Sequence, residues 1–130
     1  MHPDPDRLAQ IDLFQGLSGD QLALLAAWFD VKEFGPGQRL VHEGASGYAF
    51  FILDQGRVRV EQEGAVLVTL EPGAVFGEMA FYGEGRRNAD VIAESEGRAL
   101  AMFGTRYREM QAAMPDVAER LEDLAHQRAT

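Results

Sequence analysis

A series of short apolar runs between residues 31 and 103 constrains the fold most, because glycine-containing breaks interrupt it about every eight to twelve residues. The runs are "VKEF", "RLVH", "YAFFILD", "RVRVEQ", "VLVTL", "AVFG", "ADVIAE" and "RALAMF". Within the fourth run, Val58 and Val60 alternate with charged residues, which indicates one buried and one solvated face. Eight strands of this length predict a mainly β fold, an antiparallel eight-stranded jelly roll (a double-stranded β-helix).

Helical spacing precedes these strands. Apolar positions in residues 6–30 recur with helical period and predict two short leading helices. Ser18 and Gln21 have the spacing of a capping box and predict the start of the second helix. The apolar residues assigned to this helix are Leu22, Leu25, Trp28 and Phe29.

Helical spacing returns after the strands, over residues 105–128, and predicts two closing helices with Tyr107 and Met110 facing inward. Pro115 is suited to the first position of the last helix. The apolar stripe of that helix comprises Val117, Ala118, Leu121, Leu124 and Ala125. Such a stripe can cap a ligand, pack on the barrel or form a dimer seam.

Length and charge narrow the functional classes. The 130 residues suffice for one core, so we predict a single domain over residues 1–130, with leading helices at 6–30, a β-roll at 31–103 and closing helices at 105–128. The net charge of −9 disfavours direct binding to nucleic acid or an anionic membrane. There is no cysteine, secretory signal or long apolar run, and we therefore expect a cytoplasmic protein.

Residues 76–91, "FGEMAFYGEGRRNADV", form the most distinctive stretch. If a short helix begins near Glu78, its first backbone N–H groups form a small anion site, and Gly77 lets a ligand approach the backbone. Arg86 or Arg87, folded over this site, would supply a bidentate partner for phosphate oxygens. Glu78 would then accept a hydrogen bond from a neighbouring sugar hydroxyl, and the combination describes a phosphorylated ribose.

Each of these residues also has a structural interpretation. Glu78 is an acidic residue of the kind favoured in a first helical turn. Arg86 and Arg87 can be exposed loop residues that form weak ion pairs with Glu84 or Glu78. The ordered combination, rather than any single residue, favours the anion site.

The same stretch resembles the phosphate-binding cassette of cyclic nucleotide-binding domains, whose pattern is approximately F-G-E-(L/M)-A-L, a short loop, and R-x-A-(T/S)-V. The matching residues are Phe76, Gly77, Glu78, Met79, Ala80, Phe81, Arg87, Ala89 and Val91. "IDLFQGLSGDQLALLAAWFD" resembles the leading helices of that family, and "GQRLVHEGASGYAFFILDQGRVRV" resembles its early strands. The resemblance implies the same jelly roll and a regulatory module that binds a cyclic nucleotide, with cAMP favoured over cGMP.

The resemblance also implies roles for individual residues. Arg87 would pair with the exocyclic phosphate, and Glu78 would accept from the ribose 2′-hydroxyl. Arg86 lies where relatives often have proline and is expected to be exposed. Backbone groups would come from Gly77, Met79, Ala80 and Ala89.

Two positions depart from the family pattern. Asp90 lies where relatives usually have threonine, serine or another small residue, and the resemblance implies that a hydroxyl there helps to hold guanine. A carboxylate at this position either accepts hydrogen bonds from the base or repels the phosphate. Asn88 also replaces a small residue. We include both among the predicted ligand-binding residues.

Three functional hypotheses follow. In the first, a cyclic nucleotide binds and the closing helices reposition, signalling to an effector protein in trans, within a longer chain, or through a homodimer of those helices. In the second, the domain has lost nucleotide binding through Asp90 and serves protein interaction. The third, a jelly-roll enzyme, is disfavoured because His2, His42 and His126 offer no metal-ligand cluster and no serine has a G-x-S-x-G context. We therefore predict no catalytic residues, no metal and no cofactor.

Overall fold

The computed structural model describes residues 1–42, 49–77 and 89–129, with side chains as far as residue 124. Its helices are α1 (Pro5–Leu8), α2 (Gly19–Ala26), α3 (Gly104–Ala113) and α4 (Pro115–Ala129), and a 3-10 turn covers Asp12–Phe14. Its strands are β1 (Asp30–Phe34), β2 (Arg39–Val41), β3 (Ala49–Gln55), β4 (Val58–Gln62), β5 (Ala65–Leu70), β6 (Val75–Phe76), β7 (Asp90–Ala93) and β8 (Gly97–Phe103). Within these described ranges, no helix has the length and apolar character needed to cross a membrane.

The strands form two four-stranded sheets with the orders β1-β8-β3-β6 and β2-β7-β4-β5. All recorded strand pairs are antiparallel. Each of the eight predicted runs corresponds to one of these strands. The prediction of an eight-stranded antiparallel jelly roll with flanking helices is confirmed.

The hairpin between β4 and β5 shows how local sequence sets the register. Glu63 and Gly64 form its two-residue loop, and both have positive φ, +52° and +82°. Paired positive φ values are typical of a type I′ turn, whose twist matches that of the flanking strands. On β4, Val58 is fully buried and Val60 packs on the core between the sheets, as the alternation predicts, but Arg59 and Glu61 on the other face are also only partly exposed.

The start of α2 is confirmed and its predicted extent is wrong. Ser18 Oγ accepts from the Gln21 backbone N–H at 3.1 Å, and Gln21 Oε1 accepts from the Ser18 N–H at 2.8 Å. The helix ends at Ala26, so Trp28 and Phe29 lie beyond it, although both are buried. Trp28 is oriented by a distant partner, because its indole N–H donates to Glu109 Oε2 at 3.0 Å.

The described core has two parts. One cluster lies between the helices and the sheet that contains β3 and β8, and its centre is Phe50, whose ring meets Phe29 and Tyr107 edge-on. The other lies between the two sheets and includes Leu53 and Val58. The predicted inward positions of Tyr107 and Met110 are confirmed. The helices therefore pack on the outer side of one sheet, and a second cluster fills part of the space between the two sheets.

A buried carboxylate ties the first helix to the sheet. Asp54 on β3 accepts from Arg7 Nη2 at 2.7 Å and from Arg98 Nε at 2.9 Å, and its side chain is 10% exposed. Asp54→Ala leaves both arginines without this partner. We expect a loss of about 1–3 kcal/mol in the free energy of unfolding, below the range for fully buried pairs because both arginines are about one-third exposed.

Urea denaturation measures this effect. The matched control is Glu71→Ala, which removes a carboxylate from an exposed pair with Arg57 and should cost about 0–1 kcal/mol. Equal losses in the two variants would show that Asp54 contributes no more than an ordinary surface ion pair.

Candidate functional site

The predicted cassette begins where β6 leaves the sheet. Phe76 is buried, pairs with Phe51 of β3, and stacks on its ring with centroids 5.2 Å apart. Gly77 follows with φ of +84°, a left-handed conformation that is strained for residues with a side chain. The anchored Phe76 and the glycine together fix the direction in which the chain enters the cassette.

The cassette ends in the other sheet. Ala89 is buried, and Val91 of β7 pairs with Val60 of β4 and with Val41 of β2. Residues 78–88 therefore connect the two sheets. The predicted site residues Glu78, Met79, Ala80, Arg87 and Asn88 lie outside the described residues, whereas Gly77, Ala89 and Asp90 are described.

Asp90 occupies the outer face of its sheet. Val91 belongs to the core between the sheets, and adjacent residues of a strand point to opposite faces. Asp90 is paired across the strands with Glu61, and its carboxylate lies 4.0 Å from Arg39 Nε. Glu61 forms an ion pair with Arg59. Asp90 and Glu61 are therefore two neighbouring carboxylates on the face directed away from the core, and each has an arginine nearby. The two roles considered for Asp90 stay predictions.

The inner face of this sheet is apolar beside the end of the cassette. Val91, Val60 and Val68 form one cross-strand row, and directly paired residues share a face. Val60 packs on the core between the sheets, yet Val68 is 49% exposed. An exposed apolar side chain, Val68, thus lies in the cross-strand row of Val91, which follows Ala89 by two residues. An apolar surface of this kind can receive a flat aromatic ring.

The sequence prediction did not include this apolar surface. "VLVTL" predicted a strand. The alternation within β4 indicates which of its residues face inward, and the pairing of β4 with β5 extends this assignment to β5. The exposure of Val68 could not be obtained from the sequence, because it depends on which elements cover the inner face.

The closing helices pack on the N-terminal segment. Val117 and Leu121 of α4 are buried in the same cluster as Leu8, Ile11 and Phe14. Pro115 is the first residue of α4, as predicted. Of the three arrangements considered for the α4 stripe, the structure shows packing within the domain.

Comparison with known proteins agrees with this architecture. The sequence profile described as "Cyclic nucleotide-binding domain" matches residues 31–113. The chain is 30% identical to the cyclic AMP receptor protein of Thermus thermophilus over 121 residues, 89% of this chain and 56% of that protein. It is 33% identical to the cGMP-dependent protein kinase egl-4 of Caenorhabditis elegans over 96 residues, 69% of this chain and 12% of the kinase.

A solved structure supports the same assignment. The crystal structure of the Thermus thermophilus catabolite activator protein superposes with a TM-score of 0.83 at 30% identity, covering 90% of this chain and 57% of that chain. The chain thus spans little more than half of this structure and of the receptor protein. The profile matches most of the chain, and the jelly roll is shared with the solved structure. The chain therefore belongs to the cyclic nucleotide-binding domain family.

Proposed function

We propose that this chain is a regulatory module that binds a 3′,5′-cyclic nucleotide, with cAMP preferred to cGMP, and that it is not an enzyme. One observation supports this most strongly: left-handed Gly77 and buried Ala89 hold the two ends of the cassette in opposite sheets. A cassette held in this way can enclose a small ligand between the sheets. Membership of the family supports the ligand class.

The phosphate and the ribose are assigned to the cassette. Arg87 pairs with the exocyclic phosphate, because a guanidinium presents two parallel donors to two phosphate oxygens. Glu78 accepts from the ribose 2′-hydroxyl. Backbone groups of Gly77, Met79, Ala80 and Ala89 complete the contacts, and Asn88 borders them.

The base is assigned to the apolar inner face of β4 and β5. A purine that extends from a phosphate near Ala89 would cover Val68 and Val60, which lie one row away in the sheet. Covering an exposed apolar side chain with an aromatic ring removes nonpolar surface from water and favours binding.

We assign the conformational response to ligand binding to the closing helices. In this proposal α3 and α4 reposition when the site fills, and a protein effector or a second copy of the chain responds to their position. The net charge of −9 supports protein partners over nucleic acid and membranes.

Replacing Asp90 tests the geometry of the cassette end. Because the carboxylate lies on the outer face near Arg39, we expect Asp90→Thr to change the free energy of cAMP binding by no more than about 0.5 kcal/mol, roughly twofold in the dissociation constant. Titration calorimetry measures this. Much tighter binding would indicate that the carboxylate repels the phosphate, and much weaker binding would indicate that it contacts the base.

Titration calorimetry with cAMP and cGMP tests the proposed function. The protein is first stripped of any bound ligand by unfolding and refolding. A non-cyclic 5′-AMP titration is the matched control. Saturable binding of a cyclic nucleotide at micromolar concentration or below, with weaker or no binding of 5′-AMP, is expected. No heat and no change in melting temperature with either cyclic nucleotide would contradict the proposal and favour the protein-interaction hypothesis.

A further inference from the structure

The inner face of β4 becomes accessible toward the hairpin that joins it to β5. Alternate residues of a strand share a face, so Val58, Val60 and Gln62 all belong to the inner face. Val58 is fully buried, Val60 is half-buried, and Gln62, the last residue of the strand, is exposed. The inner face of this sheet therefore ends, on β4, in a polar side chain that solvent and ligands can reach.

Gln62 lies in the same cross-strand row as the end of the cassette. The register of β4 with β7 pairs Glu61 with Asp90. The next residues, Gln62 and Ala89, therefore lie opposite each other, and on its other side Gln62 pairs with Ala65 of β5. Opposite residues on one face of an antiparallel pair have Cβ atoms about 4.5–5.5 Å apart. Gln62 is thus the polar member of a row whose other two members carry only methyl groups.

A carboxamide suits the group that the proposed function places beside Ala89. The non-bridging oxygens of a cyclic phosphate carry its negative charge and accept hydrogen bonds. The glutamine amide has two N–H donors and no charge. A hydrogen bond to an ionised acceptor is stronger than one between neutral groups. Because Ala65 and Ala89 have no polar side-chain atoms, Gln62 is the residue of this row whose side chain can donate to the phosphate.

We propose that Gln62 is a further ligand contact, in which the side-chain N–H donates to a non-bridging oxygen of the cyclic phosphate. This contact rests on the proposed function, because it needs a cyclic nucleotide in the cassette. It comes from β4, so the affinity depends on a strand outside the cassette as well as on residues 77–89. The phosphate is common to all 3′,5′-cyclic nucleotides, and Gln62 therefore raises the affinity for cAMP and cGMP alike without selecting the base.

Two substitutions at position 62 test the contact. Gln62→Leu removes the donor and keeps a similar size, and it should weaken binding of cAMP and of cGMP roughly five- to thirtyfold. Gln62→Glu keeps the shape but places a carboxylate against the phosphate, and like-charge repulsion should increase the loss to more than about a hundredfold. Titration calorimetry measures both. Because Gln62 is exposed, the ligand-free variants should melt close to the temperature of the parent.

Thr69→Glu is the matched control for the added charge. Thr69 is exposed and pairs with Arg59, on the outer face of the same sheet, and this variant should bind within about twofold of the parent. Parent-like binding by Gln62→Leu and Gln62→Glu, or equal losses in Gln62→Glu and Thr69→Glu, would overturn the contact. A loss for one base but not for the other would overturn its assignment to the phosphate. A parent that binds neither cyclic nucleotide would instead refute the proposed function, and the contact with it.

Discussion

Arg87→Ala is expected to weaken cAMP binding by roughly thirtyfold to several-thousandfold, equivalent to about 2–5 kcal/mol. The substitution removes the charge-assisted partner assigned to the phosphate and leaves an anion in the site without its main counter-charge. Calorimetric titration of the variant and the parent under the same salt conditions measures the difference. The melting temperature of the ligand-free variant should stay close to that of the parent.

The neighbouring arginine provides a matched control. Arg86→Ala removes the same side chain one position earlier, where the proposal assigns no ligand contact, and should bind cAMP within about twofold of the parent. An Arg87→Ala variant that binds like the parent would contradict the assigned cassette. Equal losses in both variants would show that binding depends on general positive charge rather than on one guanidinium.

Phe50→Ala is expected to lower the free energy of unfolding by about 3–5 kcal/mol, the range for removal of a large buried aromatic side chain. Phe50 is 1% exposed. Its ring centroid lies 5.9 Å from that of Phe29 and 6.3 Å from that of Tyr107, both edge-on. The substitution leaves a cavity where the sheet meets the N-terminal segment and α3. Urea denaturation followed by circular dichroism measures the loss.

Phe103→Ala is the control for this prediction. Phe103 lies at the end of β8, is 38% exposed, and has Lys32 Nζ at 5.7 Å from its ring centroid. Its removal should cost less than about 1.5 kcal/mol, because little buried contact is lost. If the two variants were equally destabilised, Phe50 would not be the packing centre that its contacts indicate.

The β-roll could be predicted well because its signals are local. Alternation places Val58 and Val60 inward, and a two-residue loop that includes Gly64 closes the hairpin. The end of α2 was less predictable. Trp28 and Phe29 continue the helical spacing, but Trp28 is fixed by Glu109, 81 positions away, and such a contact is not visible in the sequence.

In the candidate site, too, local features could be predicted from the sequence and long-range contacts could not. Gly77 was predicted to allow close approach to the backbone, and the structure adds that its conformation is left-handed. In "ADVIAE", Asp90 precedes the inward-facing Val91 and so lies on the opposite face of the strand, whereas its ligand role was inferred from the resemblance to the family pattern and stays a prediction. The contact of Arg120 with Leu13 spans 107 positions and could be found only from the structure.

The most direct test of the cassette assignment is a crystal structure of the protein with bound cAMP. We expect the exocyclic phosphate between Gly77 and Ala89, with its oxygens about 2.7–3.1 Å from the Arg87 guanidinium, and the adenine on the Val68 face of β5. A nucleotide bound elsewhere, or one whose phosphate makes no contact with Arg87, would contradict it.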